Sequence, residues 1–448
     1  MRWLDELGER AEKHQDLRAL GEVYYLQGDI LADQGDLTGA LAHEQEALKL
    51  FAEIGDIKHE SWCLGNAGWA AMMLGDLDLA DSYVQRGLEL ARTIGNKRDV
   101  AWMDWRMGQI ALCRGDFRQG LAAYEDATQL FHDIGRHRSE IRAIYAVGRI
   151  RLALGEMEQA LSCFQQAAVL AEPDAVRQDT FSLAAELNAL ELASESTEAF
   201  RSFCASFKRE HPEIAAGPLV QWYLEPAEAP TADELASKLM FYDSFDETLD
   251  VEWQWHDEVG DSAYAIHDGF ELSVAPGRDL WLVNLGAPRL QRAVCGDWQA
   301  QTVCGPITDG EAGQGLAMGQ EPAIGGMVLW QNDENYMRLD RGTGGEREVS
   351  FLGCIENRDV VVGRGWLPDW LGSDGDVFLR IRYAGGVAEA LCSVDGEMWF
   401  ALGQTAFPEG DDLLLGLYGI GVQDPLLYPG RCQGSHSIRF RSFWLWQV

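Results

Sequence analysis

The 448-residue chain is too long for one hydrophobic core, so its length predicts two domains. With 47% hydrophobic and 24% charged residues, it has the composition of a globular protein rather than a disordered one. Its net charge of −36 argues against nucleic acid and anionic membranes as partners, because both require a basic face, and favours neutral or basic partners.

The N-terminal segment MRWLDELGERAEKHQD lacks the apolar core of a signal peptide. No apolar run reaches the roughly 20 residues that a membrane span requires. The nine cysteines include no CxxC pair, which argues against zinc and redox motifs and suits reduced thiols. These features predict a cytoplasmic protein without a metal site or a cofactor.

An internal period of 40 residues runs through the N-terminal half. Glycines recur at this interval in two series, Gly28, Gly68, Gly108 and Gly148, and Gly35, Gly75, Gly115 and Gly155. An acidic residue follows each glycine of the second series. We expect that glycine to end one helix in a left-handed conformation and the acid to cap the next helix. Such self-similarity predicts a solenoid of helix pairs, with the first series of glycines at the helix crossings.

The segment CLGNAGWAAMMLGDLDLADSYVQRGLELA (63–91) resembles the longer, 40-residue form of the tetratricopeptide repeat. The resemblance covers about residues 16–175. It implies an all-α superhelical domain over residues 1–210, with four 40-residue units followed by capping helices. These motifs specify the fold and carry little information about function.

In tetratricopeptide repeats the first helix of each unit lines a concave groove, and the resemblance implies the same groove here. The repeat register then assigns the groove-facing candidates: Tyr25, Trp62, Asn66, Trp69, Trp102, Trp105, Arg106, Gln109, Arg142, Tyr145 and Arg149. The same register adds Glu22, Asp29 and Met73.

These candidates have the side chains of a peptide-binding groove. Four are tryptophans that could anchor a ligand, and Asn66 lies where related repeats place an asparagine that holds a peptide backbone. Arg106, Arg142 and Arg149 form a basic strip suited to acidic side chains. Two alternatives stay open: the tryptophans fill the space between neighbouring helices, or the chain's own β domain or a terminal helix occupies the groove.

The sequence changes character after about residue 211. Four prolines and several acids lie in HPEIAAGPLVQWYLEPAEAPTADEL, which predicts a linker over 211–238. From Phe241 onward, short alternating runs such as ELSVA, GGMVLWQ and NYMRLDRG stand between glycine turns. They predict an antiparallel β-sandwich over residues 239–448.

Three segments of this second half resemble a known sandwich family: FYDSFDETLDVEWQWHDE (241–258), GGMVLWQNDENYMRLDRG (325–342) and VFLRIRYAGGVAEALCSVDGEMWFALG (377–403). The family is the concanavalin-A-like, laminin-G-like jelly-roll often appended to bacterial xylan-degrading enzymes, and the resemblance covers about residues 240–447. It implies a possible sugar-binding surface at Trp330, Tyr336 and Arg338. The alternative for these three residues is a buried core strand and an edge pair.

No catalytic residue is assigned. The E-x-D-x-x-E strand motif of the hydrolases in this class is absent, as are GxxxxGK[ST], HExxH and GxSxG. We therefore expect a non-enzymatic interaction scaffold or regulator in bacterial signalling, transcription or defence. Its groove would capture a partner peptide or protein, and its sandwich would be a second docking surface. Carbohydrate binding by the sandwich is the alternative, and a glycoside hydrolase is a third hypothesis.

Overall fold

The computed structural model describes residues 2–170, 225–227, 238–281, 283–307, 323–342, 345–366, 375–410, 412–422 and 436–448. The chain divides into two compact units. The first is helical in its described part and the second is built of β-strands, as the sequence predicts.

The helical unit is an array of antiparallel helix pairs preceded by one further helix. Its described helices are α1 (Arg2–His14), α2 (Leu17–Asp33), α3 (Leu37–Ile54), α4 (Ile57–Met73), α5 (Leu77–Thr93), α6 (Lys97–Cys113), α7 (Phe117–Asp133), α8 (His137–Ala153) and α9 (Met157–Leu170). The four pairs α2–α3, α4–α5, α6–α7 and α8–α9 correspond to the four predicted units. The expected capping helices lie outside the described residues.

The turn within each unit follows the predicted glycine–acid chemistry. Gly75 has a φ of 87° and Gly115 a φ of 74°, in the left-handed region that favours glycine. The Asp76 carboxylate accepts a hydrogen bond from the Leu79 backbone N–H at 3.0 Å and so caps α5. Asp116 caps α7 in the same way. These caps use backbone donors that would otherwise lack a partner at the start of each helix.

The glycine in the first helix of each unit allows that helix to approach the second. A Cβ atom at Gly68 would lie 2.6 Å from Val84 Cγ2, and one at Gly108 would lie 2.6 Å from Tyr124 Cε2. Gly28 holds the same position against Glu44. The glycine column therefore faces a second column, 16 residues further along, on the opposing helix.

The second unit consists of short antiparallel strands. They are β1 (Glu225–Ala227), β2 (Leu239–Asp243), β3 (Gln254–His256), β4 (Ala263–Ile266), β5 (Phe270–Val274), β6 (Arg289–Ala293), β7 (Trp298–Gly305), β8 (Gly325–Asn332), β9 (Asn335–Gly342), β10 (Gly345–Ile355), β11 (Arg358–Trp366), β12 (Val377–Ala384), β13 (Val387–Ser393), β14 (Trp399–Ala406), β15 (Leu414–Gly419) and β16 (His436–Gln447).

These strands form two antiparallel sheets. Among the described residues, one sheet has the order β1-β14-β13-β12-β7-β16-β5-β4, with β2 also paired to β16. The other has the order β11-β10-β9-β8-β15-β6-β3. Leu379 and Ile381 of the first sheet share one buried core with Leu329 and Leu339 of the second. The two sheets therefore pack face to face as a sandwich.

One part of the predicted linker is structured. Residues 225–227 form β1, whose backbone pairs with β14 in the register Pro226–Phe400. A proline is tolerated there because β1 is itself an edge strand. The sequence placed these residues in the linker because proline and acidic residues obscure so short a strand; the other domain boundaries stay predictions.

Among the helices that the structure describes, none combines the length and the apolarity that crossing a lipid bilayer requires.

Candidate functional site

The first helices of units one to three, α2, α4 and α6, bring groove-facing side chains together around two adjoining cavities. The first, which we call the aromatic cavity, has a volume of about 280 Å³ and is lined by Tyr25, Trp62, Gly65, Asn66, Arg98, Asp99, Trp102, Met103 and Arg106. The second, the acidic cavity, has a volume of about 370 Å³ and is lined by Gly28, Asp29, Ala32, Asp33, Ala40, Glu44, Asn66, Trp69, Ala70 and Arg106. Asn66 and Arg106 line both.

Trp62 is a half-buried aromatic wall whose orientation is fixed by its neighbours. Its indole Nε1–H donates a hydrogen bond to the Asp99 carboxylate at 2.8 Å. Lys58 Nζ lies 4.6 Å and Arg98 Cζ lies 5.4 Å from the ring centroid, so two cations contact the ring. A ring held in this way loses little conformational entropy when a ligand packs on it.

Trp102 and Trp105 lie in different environments, Trp102 at the aromatic cavity and Trp105 between helices. Trp102 lines the aromatic cavity and packs edge-on against Phe131, with ring centroids 5.2 Å apart. Trp105 instead packs edge-on against Tyr124 at 4.9 Å and lines neither cavity. Trp105 therefore packs between neighbouring helices, which is one of the alternatives that the sequence left open for the tryptophans.

Arg106 is a half-buried cation between the two cavities. Its Nη1 donates to Gln109 Oε1 at 2.9 Å, and its Cζ lies 5.7 Å from the centroid of the Trp69 ring. No carboxylate among the described residues forms an ion pair with it. Burial lowers the pKa of Arg106 to about 10, so the guanidinium still carries its charge at neutral pH. Gln109 belongs to the site through this contact.

Asn66 joins the first two units across the acidic cavity. Its Nδ2 donates to Asp29 Oδ1 at 2.8 Å and to Glu44 Oε1 at 2.9 Å. Both amide N–H groups are thus engaged inside the protein. The Asn66 amide group, which we expected to hold a peptide backbone, therefore donates both of its N–H groups to carboxyl groups of the protein itself.

Glu44 is a buried acid at the floor of the acidic cavity. Its side chain is 2% exposed, and its Oε2 has no hydrogen-bond partner among the described residues. Burial is the main cause that raises the pKa of Glu44 to about 8, and the nearby Asp29 acts in the same direction, whereas hydrogen bonds with Asn66 and Cys63 oppose the shift. Burial also raises the pKa of Asp29, with Asp33 contributing to the same direction.

The remaining candidates are not brought to these cavities. Arg142 is exposed, Tyr145 is buried and Arg149 is half-buried, all on α8. None of the three lines either cavity. Of the three arginines in the predicted basic strip, Arg106 therefore lines the two cavities, whereas Arg142 and Arg149 do not. Arg98, which the repeat register did not assign, also lines the aromatic cavity.

Sequence reasoning missed Glu44, Arg98, Asp99 and Met103. Glu44 could have been found, because it occupies the 40-residue column whose other members are the apolar residues Val84, Tyr124 and Phe164. A single acid among apolar equivalents signals a special site. Arg98 and Asp99 carry no such signal, since charged residues are common in the first turn of a helix.

The possible sugar-binding residues belong to a buried network of the sandwich. Trp330 and Tyr336 stack at 5.2 Å, and Tyr336 is fully buried. Arg338 pairs with Asp279 at 2.9 Å and with Asp340 at 3.3 Å. The three residues therefore do not form an exposed stacking surface, because their aromatic faces and charges contact protein atoms. Carbohydrate binding elsewhere on the sandwich stays a prediction.

The comparisons with known proteins concern the repeats and the fold. Residues 17–93 and 99–172 match the family model described as the tetratricopeptide repeat. No curated protein matches the chain. Among solved structures, BtubC (BKLC) from P. vanneervenii is 17% identical, with 51% of this chain and 93% of that chain covered and a TM-score of 0.40.

Two further solved structures align with smaller shares of their own length. A STAND protein with a tetratricopeptide repeat sensor, from Pyrococcus horikoshii, is 18% identical, with 48% of this chain and 33% of that chain covered and a TM-score of 0.41. The GH43 protein BlXynB from Bacillus licheniformis is 14% identical, with 46% of this chain and 39% of that chain covered and a TM-score of 0.34. This chain therefore spans well under half of these two proteins, and similarity at this level says nothing about its function.

Proposed function

We propose that the tetratricopeptide repeats capture an extended peptide segment of a partner protein in the groove of α2, α4 and α6, and that the chain is a scaffold without catalysis of its own. The observation that carries the proposal is Arg106, a half-buried charged side chain between two adjoining cavities with aromatic walls. Sequestering the bound partner is how such a scaffold would regulate a bacterial signalling, transcription or defence component.

The aromatic cavity supplies the anchoring surface for that segment. Trp62 and Trp102 are half-buried and held by contacts with Asp99 and Phe131, so apolar ligand atoms would pack on surfaces already in position. Aromatic side chains in pockets of this kind carry much of the binding free energy at protein interfaces. The cavity volume of about 280 Å³ suits one or two side chains rather than a folded domain.

Arg106 supplies the charge preference of the groove. Arg106 is half-buried and forms no ion pair with a carboxylate among the described residues, so an acidic side chain or a terminal carboxylate of the ligand would stabilise its charge. A guanidinium can bind a carboxylate through two parallel hydrogen bonds, which fixes the orientation of the segment as well as adding affinity.

The sandwich takes the second docking role in this proposal. Its strand β2 carries an exposed apolar strip in which Leu239, Met240 and Tyr242 are 47%, 53% and 49% exposed. Tyr242 packs against Trp444 on the neighbouring strand β16, with ring centroids 5.4 Å apart. Exposed apolar side chains on a sheet edge are a surface that a partner can cover.

The groove is tested by selecting a displayed library of random ten-residue peptides on the immobilised full chain. The wild type should enrich peptides that combine an acidic residue with aromatic or aliphatic residues. Arg106→Gln should weaken binding of those peptides by tenfold or more, on the order expected for a buried charged hydrogen-bonded pair. Arg118→Gln is the matched control, because Arg118 is 71% exposed and pairs with Glu156.

Failure to enrich any peptide on the wild type would overturn the proposal. Equal binding of the enriched peptides by Arg106→Gln and the wild type would overturn the assignment of the groove.

A further inference from the structure

We infer that the acidic cavity binds a lysine or arginine side chain of the captured segment, so that the ligand carries a cation for Glu44 and Asp29 as well as an anion for Arg106. This inference rests on the proposed function, and it specifies the chemistry of the segment that the groove takes.

Three carboxyl groups line the cavity, and the Arg106 guanidinium lines it as well. Asp29 and Asp33 come from α2, and Glu44 comes from α3. Among the described residues, none of the three forms an ion pair. When ionised, carboxyl groups gathered at the wall of a cavity create a negative potential, which a cationic side chain of a ligand would neutralise.

The buried oxygen of Glu44 is the independent sign of a ligand. One carboxyl oxygen accepts from Asn66, and the Cys63 thiol is a weak donor to the same carboxyl group. Oε2 has no hydrogen-bond partner that meets the usual geometry among the described residues, although Glu44 is 2% exposed. Leaving a buried polar atom without a partner costs about 1–3 kcal/mol. Glu44 lines the cavity, so a donor placed there by a ligand would reach the carboxyl group.

The position of Glu44 in the repeat speaks against a purely structural role. Units two and three have Val84 and Tyr124 at the equivalent position, where each packs against the glycine of the first helix. An apolar residue at this position stabilises the helix pair, so a buried carboxyl group there lowers the stability of the pair. We attribute its presence to cation binding, to which the neighbouring carboxyl groups of Asp29 and Asp33 would contribute.

The two charges stand in a fixed order along the groove. The carboxyl groups belong to the first unit, on α2 and α3, whereas Arg106 belongs to α6 in the third unit. Both charged regions line the same cavity, with Asn66 of α4 between them in the repeat order. The groove should therefore select the relative positions of the basic and acidic residues in the segment.

The cavity should also couple binding to pH. The titratable or charged groups around Glu44 lie on three helices. They are Tyr25, Asp29 and Asp33 on α2, Cys63 on α4 and Arg106 across the cavity on α6. Burial raises the pKa of Glu44 to about 8, so its carboxyl group is largely protonated at neutral pH. A cation binds the ionised form, and affinity should therefore rise as the pH increases through about 8, while lysine stays charged to about pH 10.

The test repeats the random-peptide selection on full-length wild type and Glu44→Gln, which keeps the shape and removes the charge. Peptides enriched on the wild type should share a lysine or arginine at a fixed spacing from their acidic residue. Glu44→Gln should lose the basic preference and keep the acidic one. Glu46→Gln is the matched control, because Glu46 lies on the same helix and its side chain is 50% exposed.

A peptide from the wild-type selection, acetylated at its N-terminus only, is then titrated by fluorescence anisotropy at pH 6.5 and pH 8.5. We expect the wild type to bind about tenfold more tightly at the higher pH, because ionised Glu44 is scarce at the lower one. Glu44→Gln should bind weakly with little pH dependence. Asp29→Asn should weaken binding as well and provides a second variant.

The outcomes separate the two proposals. At pH 8.5, where Glu44 is largely ionised, enriched peptides that lack a basic preference, or that Glu44→Gln binds as tightly as the wild type, would overturn the cation site and leave the groove intact. Failure of the wild type to enrich any peptide would overturn both.

Discussion

The Asn66 amide of α4 donates a hydrogen bond at 2.9 Å to the buried Glu44 carboxyl group of α3. This contact links the second repeat unit to the first at a place where the other units have apolar packing. Glu44 therefore lines the groove from a position that is part of the helix packing in the other units. Its consequences are measurable in stability as well as in binding.

The first prediction concerns the pH dependence of folding. Glu44 holds its proton to about pH 8 in the folded chain but releases it near its ordinary pKa when unfolded. Between about pH 4.5 and pH 8 the folded state binds more protons, so the contribution of Glu44 to stability falls as the pH rises. Glu44→Gln should remove this decline and be more stable than the wild type at pH 8, by about 1–4 kcal/mol.

The measurement is urea unfolding of both chains at pH 5, 7 and 9, followed by the helical circular dichroism at 222 nm. The difference between the two chains cancels the other titrating groups. A difference that does not change with pH would contradict the assigned protonation of Glu44.

The second prediction concerns the glycine column. Gly108→Ala should destabilise the helical unit by about 1–3 kcal/mol, because the new Cβ atom would lie 2.6 Å from the Tyr124 ring. Gly8→Ala is the control, since its Cβ atom would lie 3.5 Å from Val23, an ordinary contact, and alanine favours a helix. Thermal unfolding should show a lower midpoint for Gly108→Ala alone, and equal effects of the two substitutions would refute the packing argument.

The third prediction concerns the helix caps. Asp116→Ala should cost about 0.5–2 kcal/mol, because the Gln119 backbone N–H loses its acceptor at the start of α7. Asp116→Asn should retain most of the stability, since Asn96 already caps α6 in this protein. Urea unfolding of the two variants measures the difference, and an Asn variant as unstable as the Ala variant would argue against capping.

The fourth prediction concerns the buried network of the sandwich. Asp340 is fully buried, pairs with Arg338 at 3.3 Å and accepts from the Tyr418 hydroxyl at 2.7 Å. Asp340→Asn should destabilise the sandwich by about 3 kcal/mol, because it leaves the Arg338 charge incompletely paired. Scanning calorimetry should show the loss, whereas the exposed Asp333→Asn should stay within about 0.5 kcal/mol of wild type. An unchanged transition in Asp340→Asn would mean that the network does not stabilise the fold.

The solenoid was predictable because its local signals agree with one another. Gly75 and Asp76 mark a helix end and a helix start in the same two residues, and their spacing repeats along the chain. Such signals act over a few residues, so they can be read without knowing the tertiary structure. The sandwich was predictable as a fold class for a similar reason, whereas β1 escaped notice because three residues give no alternation.

The candidate site was predictable in part. The repeat register brought Trp62, Asn66 and Arg106 to the two cavities, because one helical face follows from spacing alone. It could not tell that Trp105 would pack on Tyr124, or that Asn66 would donate to two carboxylates. Those contacts depend on side chains from neighbouring helices, which spacing within one helix does not specify.

The most direct test of peptide capture is isothermal titration of one enriched acidic peptide into the full chain, its Arg106→Gln variant and its Arg118→Gln control. Our account predicts saturable binding to the wild type and the control, and binding to Arg106→Gln that is at least about tenfold weaker. Identical affinities for the wild type and Arg106→Gln would contradict it.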